Sequence, residues 1–260
     1  MADIDFADLI TWLDEDPNTA CICLYIEGFK DGRKFIEASR NTKKPIIALK
    51  AGVSAHGAAA AASHTGSLAG ASKIYGAAFQ QAGVVQATDL NNLFDRTLAL
   101  SLLPPLKGDQ ILVLTNGGGV GVLATDAAER FGIPLKFAPP DVQEELKKHM
   151  PDFGSAKNPV DMTGMAGNDW YYESTRFAYA NPWTEALVVL YCETAITNPV
   201  EIAQAVKKAI DDSGIKDKPV LVSMVGGERC EEAMTWLVEN GIPAYPAPDQ
   251  AMNSLAALRE

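Results

Sequence analysis

The sequence predicts an α/β protein of two doubly wound domains with mainly parallel sheets. Three observations carry this. Short apolar, β-branched runs alternate with helix-period segments along the whole chain. A Pro/Gly break, "PPLKGD" (104–109), interrupts the alternation once. The pattern then restarts with a strand, a glycine turn and a helix. Alternating strands and helices imply a parallel sheet covered on both faces. The break divides the chain into domains at 1–105 and 106–260.

The elements follow in order. "DIDFADLITWLDEDP" opens as an acidic helix with no targeting segment before it. "ACICLYIEG" (20–28) is a buried strand closed by glycine, with Cys21 and Cys23 on one face. "DGRKFIEASRNT" (31–42) has helical spacing through Phe35 and Ile36, and "KPIIALKAG" (44–52) is a second strand entered through proline. "SKIYGAAFQQAG" (72–83) is a helix with a terminal glycine, "VVQA" a short strand, and 89–103 a helix with Asp89 as N-cap.

In the second half, 110–132 is strand, glycine turn and helix. "PDVQEELKKHM" is helical, 152–164 is loop, and "DWYYESTRFAYAN" is helical. Strands at 185–192 and 218–227 flank the helix "PVEIAQAVKKAIDDSG". The helix "ERCEEAMTWLVENG", a short strand "IPAY" and a closing helix complete the chain.

Composition excludes several functions. The 260 residues carry a net charge of −11, which repels a nucleic-acid backbone. One small phosphorylated ligand is still compatible, because a local nest of amides binds phosphate inside an acidic protein. No apolar run approaches membrane-spanning length, so no membrane partner is expected, and a cytoplasmic location is. The four cysteines contain no CxxC, so reduced, buried thiols and no metal site are expected.

In doubly wound sheets, ligands sit at the carboxyl ends of strands. Four segments fall there. Glu27-Gly28 ends the first strand, and a half-buried carboxylate needs a partner. "KAGVSAHGAAAAASHTGSLAG" follows the second strand as a long loop of small residues, with His56 facing solvent and His64 among Ser, Thr and Gly. "TNGGGVG" (115–121) puts Gly117, Gly118 and Gly119 at a strand-to-helix turn, where unpaired N–H groups and the helix dipole attract an anion. No acidic residue ends a following strand as dinucleotide binding would want, so phosphate or carboxylate fits better than NAD. Last, "NPVDMTG" and "MVGGE" bring Asn158, Asp161, Gly226 and Gly227 to a substrate loop, with turn chemistry and helix capping the competing reading.

Together, "LYIEG", "KAG…AAASHTGSLAG", "NGGGVGVLATDA", "NPVDMTG" and "VGGE", in that order, resemble the ADP-forming acyl-CoA synthetases, relatives of succinyl-CoA synthetase. The resemblance covers nearly the whole chain and implies two flavodoxin-like domains. It also implies interconversion of acyl-CoA, phosphate and ADP with carboxylic acid, CoA and ATP through a phosphohistidine on His64. Glu27 matches the carboxylate that hydrogen-bonds this histidine. Gly117–Gly119 match one of two helix N-termini that hold the phosphoryl group.

CoA, ATP/ADP and Mg2+ are the cofactors implied for the complete enzyme, bound mainly by domains that this sequence does not show. The family's CoA-binding domain, ATP-grasp domain and second phosphate helix are not matched. The chain is therefore expected to begin inside the histidine domain, to need those parts as partners, and not to complete a turnover alone. A homo- or hetero-oligomer is compatible with this. A non-catalytic regulatory module, as in protein acetyltransferases with a synthetase-like region, is the alternative, and His64 weighs against it. A flavodoxin-like module binding an unrelated phosphate ligand is a third reading.

Overall fold

The computed structural model describes residues 3–57, 59–60 and 72–259. The chain divides into two compact units, Met1–Ser101 and Leu102–Arg259. His64 lies outside the described residues.

The first unit contains α1 (Phe6–Glu15), β1 (Ile22–Ile26), α2 (Gly32–Asn41), β2 (Ile46–Lys50), α3 (Ser72–Ala82), β3 (Val85–Ala87) and α4 (Leu90–Leu102). Its three strands run parallel in the order β1-β2-β3. The caps follow from local chemistry. Asp31 accepts from the N–H groups of Arg33 and Lys34, and Asp89 Oδ1 accepts from Asn92 N at 2.8 Å. Gly83 ends α3 at φ +69°, a conformation that costs a side chain but not glycine. The core is apolar and partly aromatic. Phe29 and Phe35 stack at 4.8 Å, and Tyr75 and Phe79 extend the cluster beneath β1 and β2.

Three expectations need correction here. The first strand is not buried throughout: Ile22, Leu24 and Ile26 are buried while Cys23 and Tyr25 are exposed. β1 stands at one end of its sheet order, and one of its faces is uncovered among the described residues. Of the thiols expected to be buried, only Cys230 is, although all four are free. The segment after β2 is also not plain loop. Residues 55–57 and 59–60 are helical, with Ser54 Oγ accepting from Gly57 N at 3.0 Å. Alanine has the highest helix propensity, so an Ala-rich run winds up once serine caps it.

The second unit contains β4 (Ile111–Thr115), α5 (Gly118–Arg130), α6 (Pro140–Lys147), β5 (Val160–Asp161), α7 (Asn168–Ala180), β6 (Ala186–Cys192), α8 (Pro199–Ser213), β7 (Val220–Val225), α9 (Glu228–Glu239), β8 (Ala244–Tyr245) and α10 (Pro248–Ala257). All five strands are parallel, in the order β5-β4-β6-β7-β8. Counted within the unit this is 2-1-3-4-5, the flavodoxin-like order. β4 is buried at every position and β6 at all but its last, because helices cover both faces. The sequence reading placed 152–164 wholly in loop. Two residues of it, Val160 and Asp161, form β5 beside Leu114 and Thr115. A two-residue strand has no period to read, so only its neighbour reveals it.

Candidate functional site

In the second unit, strand order reverses between β4 and β6, and the crevice at their carboxyl ends is the place where such sheets bind ligands. The glycine turn stands at that point. Asn116 spans the crevice: its Nδ2 donates to Cys192 O at 2.9 Å, and its Oδ1 accepts from Cys192 N at 2.7 Å. Thr115 Oγ1 accepts from Gly117 N at 3.0 Å, which fixes the turn into α5. The first-turn N–H groups of α5 have no intrahelical acceptor and carry the positive end of its dipole.

The three glycines have different reasons. A Cβ on Gly117 would meet Cys192 Cβ at 3.3 Å, and one on Gly118 would meet Asp161 Oδ2 at 2.9 Å. Gly119 would meet nothing within 4 Å, so packing does not require glycine there. Asp161 thus brings a carboxylate oxygen to the N-terminus of α5, while its Oδ1 accepts from Thr163 N at 2.9 Å. Thr163 itself has φ 72°, a left-handed conformation that costs a β-branched residue about 1–3 kcal/mol. Its buried Oγ1 has no hydrogen-bond partner among the described residues.

The other residues of the expected substrate loop do structural work. Asn158 is 5% exposed, and both hydrogens of its Nδ2 are spent on backbone, to Ile111 O at 2.6 Å and Lys136 O at 2.9 Å. Its Oδ1 accepts from Val113 N at 3.0 Å, so the side chain extends the sheet ahead of β5, which begins at Val160. It has no N–H left for a ligand. The Gly226-Gly227 turn already holds an anion of its own chain: Glu193 Oε2 accepts from Gly227 N at 2.9 Å, and Arg229 Nε lies 3.7 Å from Glu193 Oε1. A Cβ on Gly226 would come within 2.5 Å of both Glu193 Oε2 and Cys230 Sγ. Burial, with Glu193 beside it, pushes the Cys230 thiol up to about 11, which keeps it protonated and unreactive.

In the first unit, Glu27 directly follows β1 and is half-buried, and His56 is exposed on the helical stretch 55–57. Lys50, at the end of β2, is buried beside Glu27's strand. Sequence reasoning passed over Asn116, Lys50 and Glu193. Asn116 lay inside the quoted glycine motif, and Lys50, a charge closing an apolar strand, was the same signal that drew attention to Glu27.

Among the described residues no group of three or more His, Cys, Asp or Glu could hold a metal ion. No helix among them is long and apolar enough to cross a membrane.

Comparison with known proteins gives a consistent picture. Residues 1–100 match the succinyl-CoA ligase like flavodoxin domain, and residues 111–258 match the Ligase-CoA domain. The chain is 52% identical to the alpha subunit of acetate–CoA ligase [ADP-forming] I from Pyrococcus furiosus, over 99% of this chain and 56% of that protein. It is 40% identical to the alpha subunit of acetate–CoA ligase [ADP-forming] II from the same organism, over 99% and 57%. Dinucleotide forming acetyl-coenzyme A synthetase 1 of Candidatus Korarchaeum cryptofilum, solved in complex with phosphate and ADP, superimposes with a TM-score of 0.94 at 46% identity. That match covers 99% of this chain and 56% of that one. The chain therefore spans about half the length of these relatives. With both domain matches in this order and a parallel sheet of the flavodoxin-like type behind them, the chain belongs to the family of the ADP-forming acyl-CoA synthetases, relatives of succinyl-CoA synthetase.

Proposed function

We propose that this chain is the phosphohistidine-carrying part of an ADP-forming acyl-CoA synthetase. The observation that carries the reading is the pair of domain matches over nearly the whole chain, with 52% identity to an ADP-forming acetate–CoA ligase subunit. In the synthetic direction of ATP, a phosphate oxygen attacks the acyl carbon, the C–S bond breaks and CoA leaves. The imidazole of His64 then attacks phosphorus, the acyl–oxygen bond to phosphorus breaks, and the carboxylate departs. An ADP oxygen finally takes the phosphoryl group from the P–N bond, giving ATP.

The roles of the side chains follow from chemistry. A neutral imidazole is a nucleophile at one nitrogen when the other donates its hydrogen, and Glu27 accepts that N–H. The phosphohistidine dianion needs fixed donors, which the first turn of α5 at Gly117, Gly118 and Gly119 supplies without reorganisation. Asp161, already at that helix end, opposes a bound dianion and so favours its onward transfer. CoA, ADP or ATP and Mg2+ belong mainly to a CoA-binding part and an ATP-grasp part of the complete enzyme, in the same or another chain. The reading places the enzyme in the cytoplasm. The division near 105/106 is supported by the separation of the two units between Ser101 and Leu102.

The test uses the complete enzyme with radiolabelled phosphate on the donor nucleotide. A label that survives base, is lost in acid and vanishes in His64→Ala is expected. Glu27→Gln is expected to slow labelling by about 10²-fold or more while the fold is retained. Label persisting in His64→Ala overturns the reading.

A further inference from the structure

At the head of α5, unpaired donors and an unpaired acceptor stand side by side. The N-cap is Gly117, which has no side chain to accept from the first turn. Gly117 N is spent on Thr115 Oγ1, and Gly121 N is the donor to Gly117 O, at 3.0 Å. That leaves the N–H groups of Gly118, Gly119 and Val120 with no acceptor among the described residues. Gly118 and Gly119 are exposed.

Asp161 is held firmly beside them. Its N donates to Ser155 O at 2.8 Å, its O accepts from Ser155 N at 3.0 Å, and Met162 N donates to Thr115 O at 2.8 Å. Thr163 N fixes one carboxylate oxygen, Oδ1, at 2.9 Å. The other, Oδ2, lies 2.9 Å from the place a Cβ on Gly118 would take, and it accepts no hydrogen bond among the described residues. A carboxylate present only to cap α5 would take one of the free N–H groups. Oδ2 takes none.

This pairing has a chemical consequence. A fully deprotonated anion on the N–H groups meets Oδ2 as a like charge. An oxyanion that keeps one hydroxyl satisfies both sides: its bare oxygens accept from the N–H groups, and its O–H donates to Oδ2. Near neutral pH inorganic phosphate keeps such a hydroxyl, whereas sulfate and carboxylates do not.

We propose that Asp161 is a specificity-determining residue: its Oδ2 and the first turn of α5 together form a subsite that takes inorganic phosphate in a protonated form and rejects oxyanions without an O–H. The assignment rests on the anion-binding role proposed above for α5. It names the species that the turn takes up before any phosphoryl transfer. No bond to phosphorus forms or breaks at Asp161. The same carboxylate opposes an unprotonated dianion, so accepting phosphate and favouring onward transfer have one cause.

The test is phosphate-dependent release of CoA from acyl-CoA by the complete enzyme, with KM for phosphate compared with the competitive inhibition constants of sulfate and fluorophosphate. Fluorophosphate is a dianion of similar shape without an O–H. Both are expected to bind at least about tenfold more weakly than phosphate, because each leaves Oδ2 facing a bare oxygen or a fluorine. Asp161→Asn keeps an acceptor for Thr163 N and can donate to any oxyanion. It is expected to lower the preference for phosphate over sulfate at least about fivefold. A merely structural loss would weaken both anions together and leave that ratio unchanged. A smaller fall in the ratio in a folded Asp161→Asn enzyme overturns the proposal. So does a natural enzyme that binds either competitor as tightly as phosphate, a result that stands even if the variant fails to fold. A natural enzyme with no phosphate-dependent release overturns the proposed function and this assignment with it. Release with an unchanged ratio in Asp161→Asn overturns the assignment alone.

Discussion

Replacing Asn158 by alanine removes three hydrogen bonds from the middle of the second unit. Its Oδ1 accepts from Val113 N, and its Nδ2 donates to Ile111 O and Lys136 O. Val113 and Ile111 are fully buried, so water cannot replace the lost partner without opening the sheet. A buried polar group left unsatisfied costs about 1–3 kcal/mol, the donor at the upper end and the carbonyls at the lower. The sum is about 3–5 kcal/mol for Asn158→Ala. Asn158→Asp keeps an acceptor for Val113 N but turns a carboxylate oxygen toward two carbonyls, and at neutral pH it should cost at least as much.

The assay is urea unfolding followed by tryptophan fluorescence in a Trp12→Phe background. That leaves Trp170, Trp183 and Trp236, all packed against the core of the second unit, as reporters. A loss under about 1 kcal/mol for Asn158→Ala would refute the reasoning. It would mean that the side chain is free for another task.

Two further outcomes are expected. Gly226→Ala forces a Cβ to 2.5 Å from Cys230 Sγ and Glu193 Oε2 and should destabilise the second unit by about 1–3 kcal/mol, whereas Gly227→Ala, 3.9 Å from Glu193 Oε2, should cost under about 1 kcal/mol. Equal costs in the same urea assay would contradict the close approach. In the first unit, hydrogen bonds from Thr42 Oγ1 and then Lys43 N hold Asp14 below its ordinary 3.8. Its carboxyl is depressed on folding, so its contribution is complete above 3.8 and disappears as pH falls through the lowered value. Asp14→Asn should therefore lower stability at neutral pH and flatten its fall in acid, measured by circular dichroism between about pH 5 and pH 2. An unchanged acid slope would remove Asp14 from the account.

Much of this was present in the sequence for a simple reason. Strand and helix periods, glycine ends such as Gly83, and caps such as Asp89 act within a few residues, so a short window contains the whole cause. The same holds for Gly117–Gly119, where strand, turn and helix adjoin. Apart from the helical stretch after β2, whose alanines and serine cap are local, the misses are of one kind. β1 reads as buried because its residues are apolar, yet Cys23 and Tyr25 are exposed, since a face is buried only if another element covers it. Val160-Asp161 becomes a strand only beside Leu114-Thr115.

The sequence by itself determined the fold class, the family and most of the element types, because these lie in local order and residue chemistry. Tertiary structure decided which polar groups are spent and which remain available. Asn116 bridges to Cys192 across 76 positions, Asn158 to Ile111 across 47, and Glu193 to Gly227 across 34. Those pairings exist only because the strands assemble as β5-β4-β6-β7-β8. The physical reason is that a buried polar group must find its partner among spatial neighbours, and strand order, not sequence distance, supplies them.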